Sequence, residues 1–148
     1  MFRTLLVFLV LLIGSTVESA KIKDFKLVCL GECPQNLSEL AQDSGVIIKF
    51  WHLRCRVCLL EIPDALKAAE KKGVKLYLVN VGDSVKSVKR YLKSKGEDWP
   101  VLFDGSRRIA MKYNVQVVPM TFYINRDKDI VHVVSGSDKT LIYADKIK

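Results

Sequence analysis

The stretch VIIKFWHLRCRVCLLEIP, residues 46–63, joins a continuous apolar and β-branched run to a C-x-x-C motif. The run at 46–51 is typical of a β-strand that is buried on both faces of a sheet. The residues after Cys55 continue into a pattern that indicates a helix, and Gly73 is a stop signal for it. Pro63 lies inside that helix, where its ring is expected to produce a kink. The motif is therefore predicted to lie where a buried strand turns into a helix.

The position of Cys55 at the predicted helix start favours thiolate chemistry. The first amides of a helix have no intrahelical partners, and the helix dipole is positive at that end. Arg54 and Arg56 add positive charge on both sides of Cys55, and such surroundings stabilise a thiolate. We therefore expect Cys55 to be the exposed nucleophile, and Cys58, one helical turn deeper, to be the thiol that resolves a mixed disulfide.

Glu61 is a candidate third member of this site. It follows Cys58 by three residues, so both side chains are predicted on one face of the helix. A carboxyl group held beside a shielded thiol can take or give the proton that the thiol must exchange. An ordinary exposed helix glutamate is the alternative, and the spacing alone leaves both interpretations open.

The rest of the chain predicts a single α/β domain. Strands are predicted at 75–81, 117–125 and 130–136, helices at 84–96, 106–114 and 137–148, a helical turn at 37–41, and a connection with some strand character at 98–104. Helices join the early strands and a turn joins the last two, which predicts parallel crossovers followed by an antiparallel hairpin. The expected fold is an α/β sandwich in which helices flank a mixed central β-sheet.

Residues 1–20 are predicted to be a signal peptide that lies outside this fold. Arg3 precedes an apolar run from Leu5 to Ile13, and small and polar residues follow. The run is too short for a comfortable transmembrane helix, and an uncleaved N-terminal anchor is the alternative. The folded domain is then 21–148, with its expected location in the periplasm or on the outer face of the cytoplasmic membrane.

The exported part of the chain is strongly basic. Removing 1–20 takes away one cation, Arg3, and one anion, Glu18, so the formal net charge stays at +8. Such a surface favours acidic partner proteins or the surface of an anionic membrane. Nucleic acid is not an expected partner, because the chain has no basic stripe interleaved with aromatic residues.

Cys29 and Cys33 form a second possible pair. Thiols outside the cytoplasm tend to be oxidised, so disulfide chemistry is expected before metal binding. Short apolar pieces on either side of Gly31 predict an N-terminal β-hairpin or tight turn, which would let the two cysteines form a small structural disulfide. So short a loop gains little stability from the bond. A second redox pair that relays electrons to Cys58, and two free thiols, are the alternatives.

Two other classes of function compete with redox exchange. Cys29, Cys33, Cys55 and Cys58 supply enough thiolates for a closed zinc site, and His52 lies near enough in sequence to suggest copper. A zinc ribbon, however, places its cysteines on knuckles and not at the start of a helix. We expect no metal, and no cofactor other than a redox-active disulfide. A non-catalytic binding module is the second rival.

The segment FWHLRCRVCLLEIP resembles the active-site segment of the thioredoxin superfamily, and above all its exported ResA/TlpA-type thiol-disulfide oxidoreductases. The resemblance continues through VNVGDS, DWPVLFD and VVPMTFYINRD. It implies a thioredoxin-like fold in which Pro119 is cis and faces the disulfide. It also implies a substrate-binding rim formed by Trp51, Val118 and Pro119, and it makes Glu61 the active-site acid.

The same resemblance implies partners. A reducing role towards protein thiols and disulfides is expected, with apocytochrome c as a candidate substrate, a membrane or envelope protein as electron donor, and a monomeric enzyme. Peroxiredoxins share the fold, but their peroxidatic turn has no clear counterpart here. The chain departs from its relatives at Arg54, where tryptophan is usual, at Arg56 and Val57, where proline often occurs, and at Met120, where threonine is common. These departures are expected to change how partners dock.

Overall fold

A six-stranded mixed β-sheet forms the centre of the molecule, which a computed structural model describes at residues 21, 24–30, 36–42 and 44–148. The strands are β1 (Val28–Leu30), β2 (Val46–Trp51), β3 (Leu76–Val81), β4 (Val101–Asp104), β5 (Met120–Ile124) and β6 (Ile130–Ser135). The helices are α1 (Leu37–Leu40), α2 (Arg56–Lys72), α3 (Val85–Lys95) and α4 (Arg108–Lys112), followed by a 3₁₀ turn at Ala144–Ile147.

The strand order β1-β4-β3-β2-β5-β6 places β2 near the middle of the sheet. Strand β2 pairs in parallel with β3 and antiparallel with β5, and β3 pairs in parallel with β4. All six residues of β2 are buried, as its continuous apolar run predicts. The C-x-x-C motif therefore follows directly after the C-terminal end of a central strand.

Each face of the sheet has its own apolar core. Ile47 and Trp51 of β2 pack on one face with α2, α3 and the C-terminal 3₁₀ turn. Ile48 and Phe50 pack on the other face with α1 and α4. Because side chains alternate along a strand, Lys49 lies on the same face as Ile47 and Trp51. That face is the one α2 covers.

Helix α2 begins and ends where the sequence indicates. Cys55 is its N-cap residue, and Gly73 is its C-cap residue with a left-handed backbone (φ 62°). Glycine suits this position because a side chain is strained at positive φ. Pro63 lies within α2, so the helix continues through the proline.

The predicted α/β fold with a mixed sheet is confirmed, and two predicted segments need correction. The stretch 98–104, predicted as a connection with some strand character, contains the full strand β4. It is buried because β3 and β1 pair with its two edges. The helix predicted at 137–148 is only the 3₁₀ turn at Ala144–Ile147.

The N-terminal hairpin is only partly described. Strand β1 pairs antiparallel with β4 rather than with a sequence neighbour, and an isolated bridge links Lys26 to Asn36. The remainder of the predicted hairpin falls at 31–35, and the predicted signal peptide at 1–20; both lie outside the described residues. Among the helices that the structure describes, none is long and apolar enough to cross a bilayer.

Candidate active site

Cys55 and Cys58 form a disulfide at the start of α2. Their sulfur atoms are 2.09 Å apart and their Cα atoms 5.2 Å apart. Cys58 is fully buried, whereas Cys55 is partly exposed. The Cys58 amide donates a hydrogen bond to Cys55 Sγ at 3.1 Å, so the sulfur takes the place of the usual capping oxygen. Cys55 is therefore the sulfur that a partner can approach, and it lies at the positive end of the helix.

The second predicted segment of the site lies directly against this disulfide. The Val118–Pro119 peptide bond is cis, as the resemblance implies. The Val118 carbonyl oxygen is 3.7 Å from Cys55 Sγ. Strand β5 begins one residue after Pro119 and pairs with β2, and this pairing brings the cis-proline loop beside the C-x-x-C motif.

A surface groove of about 490 Å³ opens beside Cys55. Its lining includes His52, Arg107, Met111, Val117 and Val118, in addition to Cys55 itself. The groove is thus bounded by the turn before α2, by α4 and by the cis-proline loop. A chain segment lying in it would reach the exposed sulfur.

Trp51 does not belong to the rim of this groove. Its side chain is 0% exposed, and its ring packs edge-to-face on Trp99 at 5.5 Å between centroids. The predicted role of Trp51 in substrate binding is therefore corrected: the residue is part of the core between β2 and α3. The reason is strand alternation, which turns Trp51 inward under α2.

Glu61 is buried, and both of its carboxylate oxygens contact polar groups. Its side chain is 4% exposed, and its Oε1 forms an ion pair with Lys49 Nζ at 2.7 Å. Its Oε2 accepts hydrogen bonds from Ser137 Oγ at 2.5 Å and from the Asp138 amide at 3.1 Å. These contacts exclude the interpretation of Glu61 as an ordinary exposed helix glutamate.

Lys49, the ion-pair partner of Glu61, was not among the site residues predicted from the sequence. Its side chain is 0% exposed, and its Nζ also donates to Thr121 Oγ1 at 3.0 Å and lies 3.4 Å from the Asp138 carbonyl oxygen. A buried ammonium is costly unless an anion and hydrogen-bond acceptors surround it. The signal was present in VIIKFW, where a lysine interrupts a strand that is otherwise apolar.

The buried pair has a route to solvent. A small surface pocket of about 220 Å³ is lined by Val57, Leu60, Glu61, Ser137 and Lys139 among others. Glu61 therefore lines a pocket that opens to solvent, and this pocket shares no lining residue with the groove beside Cys55.

A tyrosine supports this network from the next strand. Tyr123 donates its hydroxyl hydrogen to Asp138 Oδ2 at 2.5 Å. Burial, with the neighbouring Asp138 carboxylate, raises the pKa of Tyr123 well above its usual value. The hydroxyl therefore stays protonated and holds Asp138, whose backbone contacts both Glu61 and Lys49.

Asp83 holds the turn that precedes Cys55. Its Oδ2 accepts hydrogen bonds from the Leu53 amide at 2.7 Å and from Asn80 Nδ2 at 2.9 Å. The contact ties the turn after β2 to the end of β3. The segment VNVGDS, which contains Asp83, carries part of the resemblance to the thioredoxin superfamily, but Asp83 was not among the site residues predicted from the sequence.

The remaining cysteines and histidines do not form a metal site within the described residues, where no three His, Cys, Asp or Glu side chains converge. Cys29 is disulfide-bonded and partly buried. Cys33 lies outside the described residues, so the pairing of Cys29 with Cys33 stays a prediction. His52 lines the groove beside Cys55.

Comparison with known proteins identifies a family match over most of the chain. The model of the AhpC/TSA family matches residues 19–133. The thiol-disulfide oxidoreductase ResA of Bacillus subtilis is 36% identical over 104 residues, which cover 68% of this chain and 58% of the relative. The ResA of Geobacillus kaustophilus is 29% identical over 128 residues, covering 84% and 70% respectively.

Solved structures share the fold. The exposed lipoprotein thioredoxin of Streptococcus pneumoniae superimposes with a TM-score of 0.72 at 24% identity, covering 84% of this chain and 98% of that one. StoA of Bacillus subtilis superimposes with a TM-score of 0.71 at 18% identity, covering 83% and 95%. The predicted thioredoxin-like fold is thereby confirmed.

Proposed function

Because the chain belongs to the AhpC/TSA family of the thioredoxin superfamily, we propose that it is a thiol-disulfide oxidoreductase acting on protein thiols and disulfides through Cys55 and Cys58. The observation that carries the proposal is the disulfide at the N-terminus of α2, with one sulfur exposed and the other buried. The ResA proteins it resembles are named for the same activity. The resident redox group is then the disulfide itself, with no further cofactor.

The exchange runs in two steps in the reducing direction. The Cys55 thiolate attacks one sulfur of a substrate disulfide, the substrate bond breaks, and the departing sulfur takes a proton from water. The Cys58 thiolate then attacks Cys55 Sγ, the mixed disulfide breaks, and the second substrate sulfur leaves as a thiolate that takes a proton from water. The substrate gains two electrons and the protein loses two, which a thiol donor must later restore. The Val118 carbonyl, 3.7 Å from Cys55 Sγ, would accept a hydrogen bond from the substrate backbone beside the reacting sulfur.

Glu61 is proposed as the group that takes the proton from Cys58 before the second step. The transfer moves one negative charge from the carboxylate to the sulfur, so the net charge of the buried cluster does not change. Lys49, paired with Glu61 at 2.7 Å, remains as the counter-ion throughout. The pocket beside Glu61 then lets the proton pass to solvent.

The direction and place of the reaction extend this proposal. A location outside the cytoplasm, at the periplasmic or outer face of the membrane, agrees with the signal-like sequence at 1–20, and a reducing role is what the resemblance to ResA/TlpA-type oxidoreductases implies. Apocytochrome c is a candidate substrate, and a membrane or envelope thiol protein a candidate electron donor. Equilibration of the Cys55–Cys58 pair against glutathione tests the direction, because a potential near that of thioredoxin favours a reductant.

Cysteine variants test the chemistry. We expect Cys55→Ser to abolish reduction of a protein disulfide, and Cys58→Ser to trap a mixed disulfide between Cys55 and the substrate, visible by non-reducing electrophoresis. Full activity of Cys55→Ser would refute the proposal. Consumption of hydrogen peroxide at a comparable rate would instead indicate a peroxidase.

A further inference from the structure

Three exposed arginines either flank Cys55 in the sequence or line the groove beside it. Arg54 and Arg56 flank Cys55, and Arg107 lines the groove beside it; all three are exposed. Within the described part of the chain, none of the three forms an ion pair or a side-chain hydrogen bond. Arg107 therefore adds a positive charge to the groove, Arg54 and Arg56 add two more next to Cys55 in the chain, and no carboxylate of the described residues neutralises them.

The position of Arg107 is set by the backbone around it. Arg107 precedes α4 with a left-handed backbone (φ 60°). Its Nε lies 2.9 Å from the point that a Cβ on Gly82 would occupy. The absence of a side chain at Gly82 thus lets the arginine lie against the end of β3. The Arg107 side chain therefore lies beside Gly82 and lines the groove.

Most of the other residues that line the groove are apolar, with His52 and Gln116 as the polar exceptions. Met111 is 69% exposed and Val117 58% exposed, and both line the groove with Cys55. Of the described residues that line it, none is acidic. An occupant must therefore offer apolar side chains to the walls and negative charge to the rim.

Charge complementarity identifies the occupant. Guanidinium groups bind carboxylates in a planar, two-point geometry that neutral or basic side chains cannot use. Carboxylates beside a disulfide would ordinarily repel an attacking thiolate, since both are negative. Arginines on both sides of the thiolate offset that repulsion. The site is thus suited to disulfides with carboxylates beside them, which simple thiols attack slowly.

We propose that the groove and the three arginines select cysteine-bearing protein segments with acidic residues beside the reacting cysteine and apolar residues further along. The inference rests on the proposed function and adds the substrate class of the same site. The net charge of +8 favours the same class at longer range, because it attracts acidic partners before contact.

Three disulfide-bonded peptides of equal length test this selection, with aspartate, asparagine or lysine beside their cysteines. Stopped-flow fluorescence gives the second-order rate constant for reduction of each peptide by the reduced protein. We expect the aspartate peptide to react roughly tenfold faster than the lysine peptide at about 20 mM salt, and the difference to shrink at about 500 mM. Dithiothreitol supplies the matched control, and with it the aspartate peptide should be the slowest.

Charge variants connect the ranking to the arginines. The single variants Arg54→Gln, Arg56→Gln and Arg107→Gln should each reduce the aspartate peptide about two- to fivefold more slowly. The triple variant should reduce all three peptides with similar rate constants. Lys67→Gln makes the same charge change at an exposed position of α2, and this variant should still reduce the aspartate peptide fastest. Equal rate constants for the three peptides with the wild-type protein, or a ranking that survives in the triple variant, would overturn the proposal.

Two further measurements separate this inference from the activity on which it rests. Reduction of neutral 2-hydroxyethyl disulfide reports on the proposed function alone. Binding of serine-for-cysteine peptides to the oxidised protein, followed by fluorescence anisotropy, needs no exchange; tighter binding of the aspartate peptide supports the inference, and equal binding refutes it. If anionic vesicles bind through the arginines while the peptides show no ranking, the arginines face a membrane and the inference is wrong.

Discussion

Replacing Lys49 by methionine should destabilise the protein through the charge it leaves behind. Methionine fills a similar volume, but Glu61 keeps a buried carboxylate that has lost its partner at 2.7 Å. Removing one member of a buried ion pair costs about 3–5 kcal/mol. Glu61 keeps its hydrogen bonds from Ser137 and the Asp138 amide, so we expect the lower end, about 3 kcal/mol.

The double variant Lys49→Met/Glu61→Gln separates the two origins of that loss. It removes both charges and keeps a group that can accept hydrogen bonds from Ser137 and the Asp138 amide. We therefore expect it to recover most of the stability, with a coupling free energy of about 2–3 kcal/mol between the two substitutions. Replacing a whole buried pair by neutral groups is often close to neutral in free energy, whereas breaking it is not.

Urea unfolding of the oxidised protein, followed by fluorescence, provides the assay. A domain with about 5–15 kcal/mol of stability remains folded after the predicted loss, so the midpoint should shift while the slope stays constant. Lys67→Met, at an exposed position of α2, is the matched control and should change the free energy of unfolding by less than about 0.5 kcal/mol. A cost below about 1 kcal/mol for Lys49→Met, or a double variant that costs the sum of the two single changes, would refute the reasoning.

Three further substitutions follow from the described contacts. Glu61→Gln should leave the first attack intact but slow the step at Cys58, so that a mixed disulfide accumulates in rapid-quench samples and the pH profile of the second step changes; an unaltered profile would contradict the proton-transfer role. Asp83→Ala removes the acceptor of the Leu53 amide at 2.7 Å and should cost about 1–3 kcal/mol in urea unfolding, whereas a cost near zero would mean that water replaces the carboxylate. For Asp24, partial burial alone would raise the pKa, but hydrogen bonds from the Ser38 side chain and from the Ser38 and Phe25 amides outweigh it, so the pKa lies below its usual 3.8. A depressed pKa stabilises the fold above pH 3.8, and this contribution is lost as the pH falls through the folded-state pKa. The free energy of unfolding of Asp24→Asn should therefore differ from that of the wild type at neutral pH, and the two values should converge in acid. A difference in unfolding free energy that stays constant over this pH range would argue against this.

Local sequence was enough to predict the setting of the motif. The continuous apolar run at 46–51, the cysteine at the helix start and the glycine at the helix end each act on residues within a turn or two. Their preferences are therefore readable without the rest of the fold. The resemblance to thioredoxin-like proteins added Val118 and Pro119, which lie far along the chain from Cys55.

Only the tertiary structure decided what surrounds the buried half of the site. The register of β2 on β5 places Lys49 opposite Thr121, and the chain after β6 returns Ser137 and Asp138 to Glu61. Burial of Trp51 likewise depends on α2 covering its face of the sheet. Contacts of this kind depend on strand register and on which face of the sheet a helix covers. Neither can be predicted from the few residues on either side of a position in the sequence. The sequence by itself determined where the C-x-x-C motif lies between β2 and α2, and the packing of distant strands determined which residues pair with the buried Glu61.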